Sequence, residues 1–249
     1  MQGRFIDCTL GDPFLNVALE EALFSVLKTP VLRIWDNQRS VIIGRAQLAK
    51  IETDIEGCQK KAIPIVRRFT AGGTVYNGPG NVNWSFLEPS QPCNREGGRI
   101  FDAKRVFYTF ADAVVRALTK CSVTCRFDPP NRIVNDHGKV SGMAAYMSSA
   151  GVICHGTLLT NADLEEVEEL TRPTAVRAKA CYPRSRNVGV ANCGVDRDKF
   201  AKALMAAADL DYAADTINEE ERALALRLSA ERYMSDRWNL GDPFSLDDL

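Results

Sequence analysis

The sequence contains no apolar run that approaches the roughly 20 residues of a membrane-spanning helix. Its first residues, MQGRFIDCTLGDPF, also lack the apolar core of a signal peptide. The formal net charge is only −1, so the molecule as a whole has no basic excess for binding nucleic acid. These absences predict a cytoplasmic protein that has neither a membrane nor a nucleic acid as its partner.

Metal-ligating residues are also scarce. The chain has two histidines, His137 and His155, and no CxxC pair, so the ligand spacing of a structural zinc site is missing. The eight cysteines stand at positions 8, 58, 93, 121, 125, 154, 181 and 193. We interpret most of them as small buried apolar groups in a reducing compartment.

Length and composition predict one domain of ordinary globular type. The 249 residues are 45% apolar and 25% charged, which is enough to build one sizeable core. Short strands with helices grouped outside them predict an α+β fold with a mixed or antiparallel sheet flanked by helices. Within a single domain spanning residues 1–249, we predict an α+β core over residues 1–195 and a helical C-terminal section over residues 196–249.

Periodicity locates the main elements. Apolar residues at three- and four-residue spacing predict four helices, which are residues 14–28 after Asp12-Pro13, Asp102 to Cys121, Asp196–Ala208 and Asn218–Tyr233. Val31–Trp35 and Ser40–Gly44 are β-branched runs separated by four polar residues, and together they predict a hairpin. Further runs predict strands at Ile63–Val66, Thr74–Tyr76, Val82–Leu87, Ile133–Val134, Lys139–Tyr146 and Gly151–Leu159, the last three as consecutive antiparallel strands.

The segment RRFTAGGTVYNGPGNVNWSF, which starts at Arg67, carries the clearest chemical signal. Arginine offers fork-shaped donors for carboxylates and phosphates. The pair Gly72-Gly73 lets backbone N–H groups approach a ligand without obstruction by a Cβ atom. The segment is compatible either with a cradle for a small anion or with a plain glycine hairpin that has exposed arginines.

Three further segments are candidates for chemistry. Lys139 lies among glycines and small residues and could oppose a phosphate or an acyl oxygen, or it could be a solvated turn residue. His155 lies on a predicted strand, where a lone histidine is also compatible with a half-buried structural role. The basic loop from Arg172 to Arg186 could close over an anion or form a charged surface.

The order of these segments resembles the lipoate–protein ligase A family of the biotin/lipoate ligase group. The family loop reads approximately RR-x-S/T-G-G-G-x-V-x-H-D-x-G-N-x-N-x-x-F, and its K-x-S/A-G-x-A motif matches the segment from Lys139 to Ala144. The family sequence H-G-T-L-L matches His155 through Leu159. FLNVALEE from Phe14, VIIGRAQ from Val41 and WNLG from Trp238 also match. The resemblance covers nearly the whole chain.

The resemblance implies a biotin/lipoate ligase-like catalytic domain related to class II synthetases. It implies an enzyme that activates lipoate with ATP as lipoyl-AMP and then transfers the lipoyl group to a lysine of a lipoyl carrier protein. Mg²⁺ is expected with the ATP phosphates. The chain resembles the catalytic half of the family without the accessory domain, so we expect a separate small accessory subunit as a possible partner.

The matched positions imply roles for individual residues. Lys139 would be the catalytic residue that stabilises negative charge on the acyl and α-phosphate oxygens. The expected contacts to lipoate or lipoyl-AMP are Arg67, Gly72, Gly73, His155, Gly156 and Thr157. The expected contacts to ATP are Thr74, Tyr76, Asn81, Asn83 and Lys139.

The sequence departs from the family pattern at three places. The third glycine position of the loop is shifted by Ala71, the His-Asp pair is replaced by Asn77-Gly78, and the N-D-I before the lysine appears as Asn131-Arg132-Ile133. The departures leave two alternatives open. One is an octanoyl or lipoyl transferase that uses a thioester on Cys125 without ATP, and the other is a non-catalytic lipoyl-binding homologue.

Overall fold

The computed structural model describes residues 2–90, 103–172 and 188–243. The strands are β1 (Gly3–Asp7), β2 (Val31–Trp35), β3 (Ser40–Ile43), β4 (Ile65–Arg67), β5 (Val75–Asn77), β6 (Asn81–Pro89), β7 (Arg126–Asp128), β8 (Arg132–Asn135), β9 (Gly138–Met147), β10 (Gly151–Leu159) and β11 (Tyr212–Asp215). The helices are α1 (Pro13–Ser25), α2 (Ala49–Glu52), α3 (Ile55–Lys60), α4 (Ala103–Lys120), α5 (Leu164–Leu170), α6 (Arg197–Ala207), α7 (Glu219–Leu228) and α8 (Asp236–Leu240), with a π-helical turn over Ser229–Tyr233.

The larger of two sheets has eight strands in the order β11-β1-β2-β6-β10-β9-β8-β7. The pairs β11–β1 and β1–β2 are parallel, and the pairs from β2 to β7 are antiparallel. The register of its centre places Asn83 of β6 opposite both Trp35 of β2 and Thr157 of β10. This mixed sheet flanked by helices confirms the predicted α+β class.

The smaller sheet has three strands in the order β4-β3-β5. β3 pairs with β4 in parallel and with β5 in antiparallel orientation. The predicted hairpin of Val31–Trp35 with Ser40–Gly44 is therefore wrong, because β2 belongs to the large sheet and β3 to the small one. The segment from Arg67 onward is not a hairpin either, since β4 and β5 lie on opposite sides of β3.

Helices cover both faces of the large sheet. On one face α4 packs over β9 and β10 and α6 packs against α4, and one buried cluster contains Phe110, Leu118, Phe200, Leu204 and Trp84. α1 lies on the other side, where it contacts α7 and the π-helical turn. Burial of these apolar faces supplies most of the favourable free energy of folding.

The predicted helices are present within one or two residues at most of their ends. α1 begins at Pro13 with Asp12 as its N-cap, and α7 begins after a capping box of Asn218 and Glu221. The C-terminal section is less helical than expected, because β11 lies within it and pairs with β1. No helix of the described part of the chain is long and apolar enough to cross a membrane. Cys93, Cys181 and most of the basic loop from Arg172 to Arg186 lie outside the described residues.

Candidate active site

A cavity of about 300 Å³ lies between the two sheets. Its wall on one side is formed by β6, β9 and β10 of the large sheet. The other side is formed by β3, β5 and residues 68–74, which we call the glycine loop. Val17 and Glu20 of α1 line one edge. The cavity is therefore built from elements that the sequence places far apart.

Among the described residues, the cationic side chains of Arg68, Arg132 and Lys139 line the cavity. Burial, together with the charges of Arg132 and Arg68, lowers the pKa of Lys139 to about 8. The ammonium group of Lys139 lies over Gly142. A Cβ atom added to Gly142 would lie only 2.6 Å from Lys139 Nζ. Cationic side chains that line the same cavity favour an anionic ligand that neutralises their charge.

Arg132 faces the cavity from β8 and forms an ion pair with Asp128. Its Nε atom is buried and has no hydrogen-bond partner among the described residues. The indole Nε1 of Trp84, at the same cavity, is also buried and unpartnered in this part of the chain. Buried donors without partners are costly, so both atoms are candidates to bind an acceptor on a ligand.

The opposite part of the cavity is apolar. Val17, Trp35 and Ile42 contribute to its lining there, and they belong to one buried hydrophobic cluster. Trp35 lies on β2 and Lys139 lies on β9, and the strands β6 and β10 lie between them in the sheet. The cavity therefore has an apolar end and a cationic end, as a carboxylic acid with an aliphatic tail requires.

Arg68 fixes the shape of the glycine loop from inside. Its Nη2 donates to the carbonyls of Ala71 at 2.8 Å and Gly73 at 2.9 Å, and its Nε donates to the hydroxyl of Thr70 at 3.0 Å. Burial lowers the pKa of Arg68 to about 10. Gly72 has φ +102°, and a Cβ atom there would lie 2.8 Å from Arg68 Nη2 and 3.1 Å from Ala144 Cβ. Glycine is thus required by both backbone conformation and space.

A buried polar triad joins α1 to the glycine loop. His155 Nδ1 donates to Glu20 Oε2 at 2.8 Å, and His155 Nε2 lies 2.8 Å from Thr70 Oγ1. Burial acts to raise the pKa of Glu20, but the charges of His155 and Arg33 and the hydrogen bonds from His155 and Ser85 bring it below its ordinary value. The carboxylate therefore fixes the orientation of the imidazole, which in turn contacts the loop.

The structure brings most of the predicted site residues together. The cavity is lined by Lys139, Gly72, Gly73, Thr74, Asn83, His155, Gly156 and Thr157. Four predicted residues, Arg67, Tyr76, Asn81 and Cys125, do not line it.

Arg67 does not line the cavity. It is fully buried, and its guanidinium donates to backbone carbonyls that include those of Trp238 at 2.6 Å, Arg45 at 2.9 Å and Gly241 at 2.9 Å. The Trp238 indole in turn donates to the Arg67 carbonyl at 2.7 Å. Arg67 therefore joins β4 to α8, and the arginine that lines the cavity is its neighbour Arg68, just beyond the end of β4.

Tyr76 and Asn81 also lie away from the cavity. The Tyr76 ring packs in the apolar cluster of the small sheet, and its hydroxyl donates to Glu166 of α5. Asn81 donates to the Tyr76 carbonyl at 3.1 Å. Tyr76 belongs to β5 and neither side chain lines the cavity, so the contacts of these two residues with ATP stay a prediction.

Cys125 is not placed as a nucleophile. It packs beside the hydrophobic core and does not line the cavity. Burial, together with the neighbouring Cys193 thiol, raises the pKa of Cys125 to about 11, whereas a reactive cysteine needs a lowered pKa. The geometry therefore does not favour a thioester on Cys125.

No individual binding or catalytic role was predicted for Glu20, Arg68 or Trp35, although all three line the cavity. Glu20 could have been found, because it lies three residues from both Val17 and Leu23 on the apolar face of α1. A carboxylate at such a position needs a partner in the interior. Arg68 could not be told from Arg67 by residue type.

Metal ligands are sparse at the site. The part of the chain that the structure describes contains no group of three or more histidine, cysteine, aspartate or glutamate side chains that could hold a metal ion. Glu20, which lines the cavity, is engaged by His155 and Ser85. The described residues therefore offer no cluster of three or more such ligands for Mg²⁺, and substrate phosphates and water would have to complete its coordination.

Comparison with known proteins identifies the family. Residues 12–208 match the family model of the lipoyl protein ligase A/B catalytic domain. The chain is 28% identical to lipoate-protein ligase A subunit 1 of Thermoplasma acidophilum, with 97% of each chain covered. It is also 28% identical to the lipoate-protein ligase LplJ of Bacillus subtilis, which covers 95% of this chain and 73% of that protein.

Solved structures agree with this relationship. A bipartite lipoate protein ligase from T. acidophilum, described with its E2 lipoyl domain, has a TM-score of 0.83 at 28% identity and 97% coverage of both chains. A T. acidophilum structure with bound lipoic acid has a TM-score of 0.82 at 27% identity, covering 97% of this chain and 100% of that one. A lipoate-protein ligase A bound with ATP has a TM-score of 0.83 at 27% identity, covering 97% and 99%.

The family model spans most of the chain, and the residues that line the cavity between the two sheets lie within the matched range. The chain therefore belongs to the lipoyl protein ligase A/B catalytic domain family.

Proposed function

We propose that this chain is the catalytic subunit of an ATP-dependent lipoate–protein ligase. The observation that carries the proposal is a single cavity with an apolar end at Val17, Trp35 and Ile42 and a cationic end at Lys139 and Arg132. Lipoate has the matching chemistry, an aliphatic chain with a dithiolane at one end and a carboxylate at the other. The lipoic acid and ATP bound in the two similar ligase structures support this assignment.

The reaction has two steps. In the first, a carboxylate oxygen of lipoate attacks the α-phosphorus of ATP, and pyrophosphate leaves as lipoyl-AMP forms. Lys139 stabilises the negative charge that develops on the phosphate and acyl oxygens, and Arg68 holds the backbone of the glycine loop in place. In the second, the neutral amine of a carrier lysine attacks the acyl carbonyl and AMP leaves.

Mg²⁺ would bind together with the nucleotide. Because the described residues offer no cluster of carboxylates, the metal would be held chiefly by the ATP phosphates and water. Its chemistry there is neutralisation of phosphate charge. Lys139, Arg68 and Arg132 supply further positive charge from the protein.

The carrier is a lipoyl domain, as for the related bipartite ligase that was studied with its E2 lipoyl domain. That relative is bipartite, and the similar curated protein is named as subunit 1. We therefore infer that full adenylation activity of this chain requires a separate small accessory subunit.

The test is a reconstitution with lipoate, ATP and Mg²⁺, in the presence and absence of the accessory subunit. We expect release of AMP and lipoylation of the carrier with the subunit present, and a much lower rate without it. A full rate for the chain alone would refute the accessory requirement. Carrier modification from an octanoyl-carrier protein without ATP would refute the ligase itself.

A further inference from the structure

Asn83 carries an unused hydrogen-bond donor at the cavity. The side chain is 3% exposed and lines the cavity, and its Nδ2 atom has no hydrogen-bond partner among the described residues. Its Oδ1 atom accepts a hydrogen bond of 2.8 Å from the hydroxyl of Thr157. An amide with a satisfied oxygen and a free N–H is arranged to donate to a ligand.

The orientation of this amide follows from a series of hydrogen bonds that starts at the backbone of residue 10. Asn16 donates from Nδ2 to the Leu10 carbonyl at 2.6 Å, and its Oδ1 accepts from the Leu10 N–H at 2.9 Å. The same Oδ1 accepts from the buried guanidinium of Arg33 at 3.0 Å. A carbonyl can only accept and an N–H can only donate, so the Asn16 amide has one possible orientation.

Each subsequent side chain is fixed by the one before it. Asn16 Nδ2 donates to Asn37 Oδ1 at 3.1 Å, and Asn37 Nδ2 donates to Asn77 Oδ1 at 3.4 Å. Asn77 Nδ2 donates to the Thr157 hydroxyl at 3.2 Å and to the Tyr76 carbonyl at 3.1 Å. The Thr157 hydroxyl accepts this bond from Asn77 and donates its own proton to Asn83 Oδ1 at 2.8 Å.

The side chains of this series are buried, and in each bond that links two of them the donor is the one nearer to the Arg33 cation. Hydrogen bonds arranged head to tail polarise one another, so the last N–H is a stronger donor than an isolated amide. This N–H is also preorganised, because the amide already has the orientation that donation to a ligand requires.

We propose that Asn77 and Thr157 are positioning residues for Asn83, which the family resemblance already implies as a substrate contact. They hold its amide so that Nδ2 donates to an oxygen of the bound anionic substrate. The inference rests on the proposed function. The oxygen belongs either to the carboxylate of lipoate or to a phosphate of ATP, and both have the same acceptor chemistry.

The test uses Thr157→Val, which removes the hydroxyl without changing charge, and Thr157→Ser, which keeps it. Thr160→Val is the matched control, because the Thr160 hydroxyl donates to the Gly80 carbonyl at 2.9 Å and the side chain does not line the cavity. Calorimetry measures the Kd of lipoate alone and of ATP alone. We expect Thr157→Val to raise one of the two Kd values about tenfold, Thr157→Ser to restore most of the affinity, and Thr160→Val to leave it unchanged.

A double-mutant cycle separates positioning from general damage. In the Asn83→Ala background, Thr157→Val should have almost no further effect on Kd, because the group through which Thr157 acts is gone. Additive losses would overturn the inference. In the wild-type protein, the NMR resonance of the Asn83 side-chain amide, identified by its loss in Asn83→Ala, should shift when the ligand binds, and an unchanged resonance would also overturn it.

The outcomes distinguish this inference from the proposed function. If the wild type forms lipoyl-AMP and Thr157→Val matches it in both Kd values, the inference alone fails. If the wild type binds neither lipoate nor ATP, the proposed function fails together with the inference. A rise in the Kd of lipoate assigns the oxygen to the carboxylate, whereas a rise in the Kd of ATP assigns it to a phosphate.

Discussion

At the scale of single residues, Lys139 connects binding with stability. Burial destabilises its charged form, so the folded protein releases this proton near pH 8, while the unfolded chain holds it up to the ordinary value of 10.5. Between these values the unfolded state binds more protons, so the free energy of unfolding rises with pH. The affinity for an anionic substrate should fall over the same interval, because the cation is lost.

We predict that the affinity for lipoate declines above about pH 8, and that Lys139→Met abolishes adenylation while stabilising the fold by about 1–3 kcal/mol. Calorimetric titration of lipoate against pH and denaturant unfolding measure the two effects. Lys139→Arg keeps a fixed charge and should move the decline to higher pH. A Lys139→Met protein with normal adenylation would contradict the assignment.

Neighbouring arginines should give opposite phenotypes. Arg67 is fully buried among backbone carbonyls, so Arg67→Lys should lower the free energy of unfolding by about 3–5 kcal/mol and leave the lipoate Kd of the folded protein nearly unchanged. Arg68→Lys should raise that Kd, because the glycine loop loses its donors to Ala71 and Gly73. Urea unfolding and calorimetry on both variants check the contrast, and it fails if Arg67→Lys weakens binding more than Arg68→Lys.

At the scale of elements, the position of the glycine loop depends on a close approach to the end of β3. A Cβ atom on Gly44 would lie 2.2 Å from the carbonyl oxygen of Gly72, so Gly44→Ala must move one of the two backbones. We predict a KM increase of about tenfold or more for lipoate, since small displacements of positioned groups are costly in rate. Gly11→Ala is the control, because a Cβ there would meet nothing within 4 Å. Equal KM values for the two variants would contradict this role of Gly44.

Local pattern predicted most elements but not their partners. α4 and the strands β8, β9 and β10 were predicted because their periodicity is strong and their neighbours are close in sequence. The hairpin of Val31–Trp35 with Ser40–Gly44 was wrong because apolar spacing does not say which sheet a strand joins. The strand β11 was missed, since its sequence Tyr-Ala-Ala-Asp is short and only one of its residues is aromatic.

At the scale of the whole molecule, a near-neutral net charge conceals a strongly cationic cavity. Lys139, Arg132 and Arg68 come from β9, β8 and the glycine loop, and only the fold brings them together. The sequence motifs predicted Lys139, the glycines and His155. They could not tell which of Arg67 and Arg68 lines the cavity, or that Tyr76 and Asn81 do not line it, because the direction of a side chain depends on the folded backbone.

We infer that lipoate and ATP react to form lipoyl-AMP in this cavity. Lipoate-dependent exchange of labelled pyrophosphate into ATP, by the chain with its accessory subunit, tests that step without a carrier. We predict exchange that requires lipoate and is lost in Lys139→Ala. Exchange at the full rate in Lys139→Ala, or no lipoate-dependent exchange by the wild type, would contradict the claim.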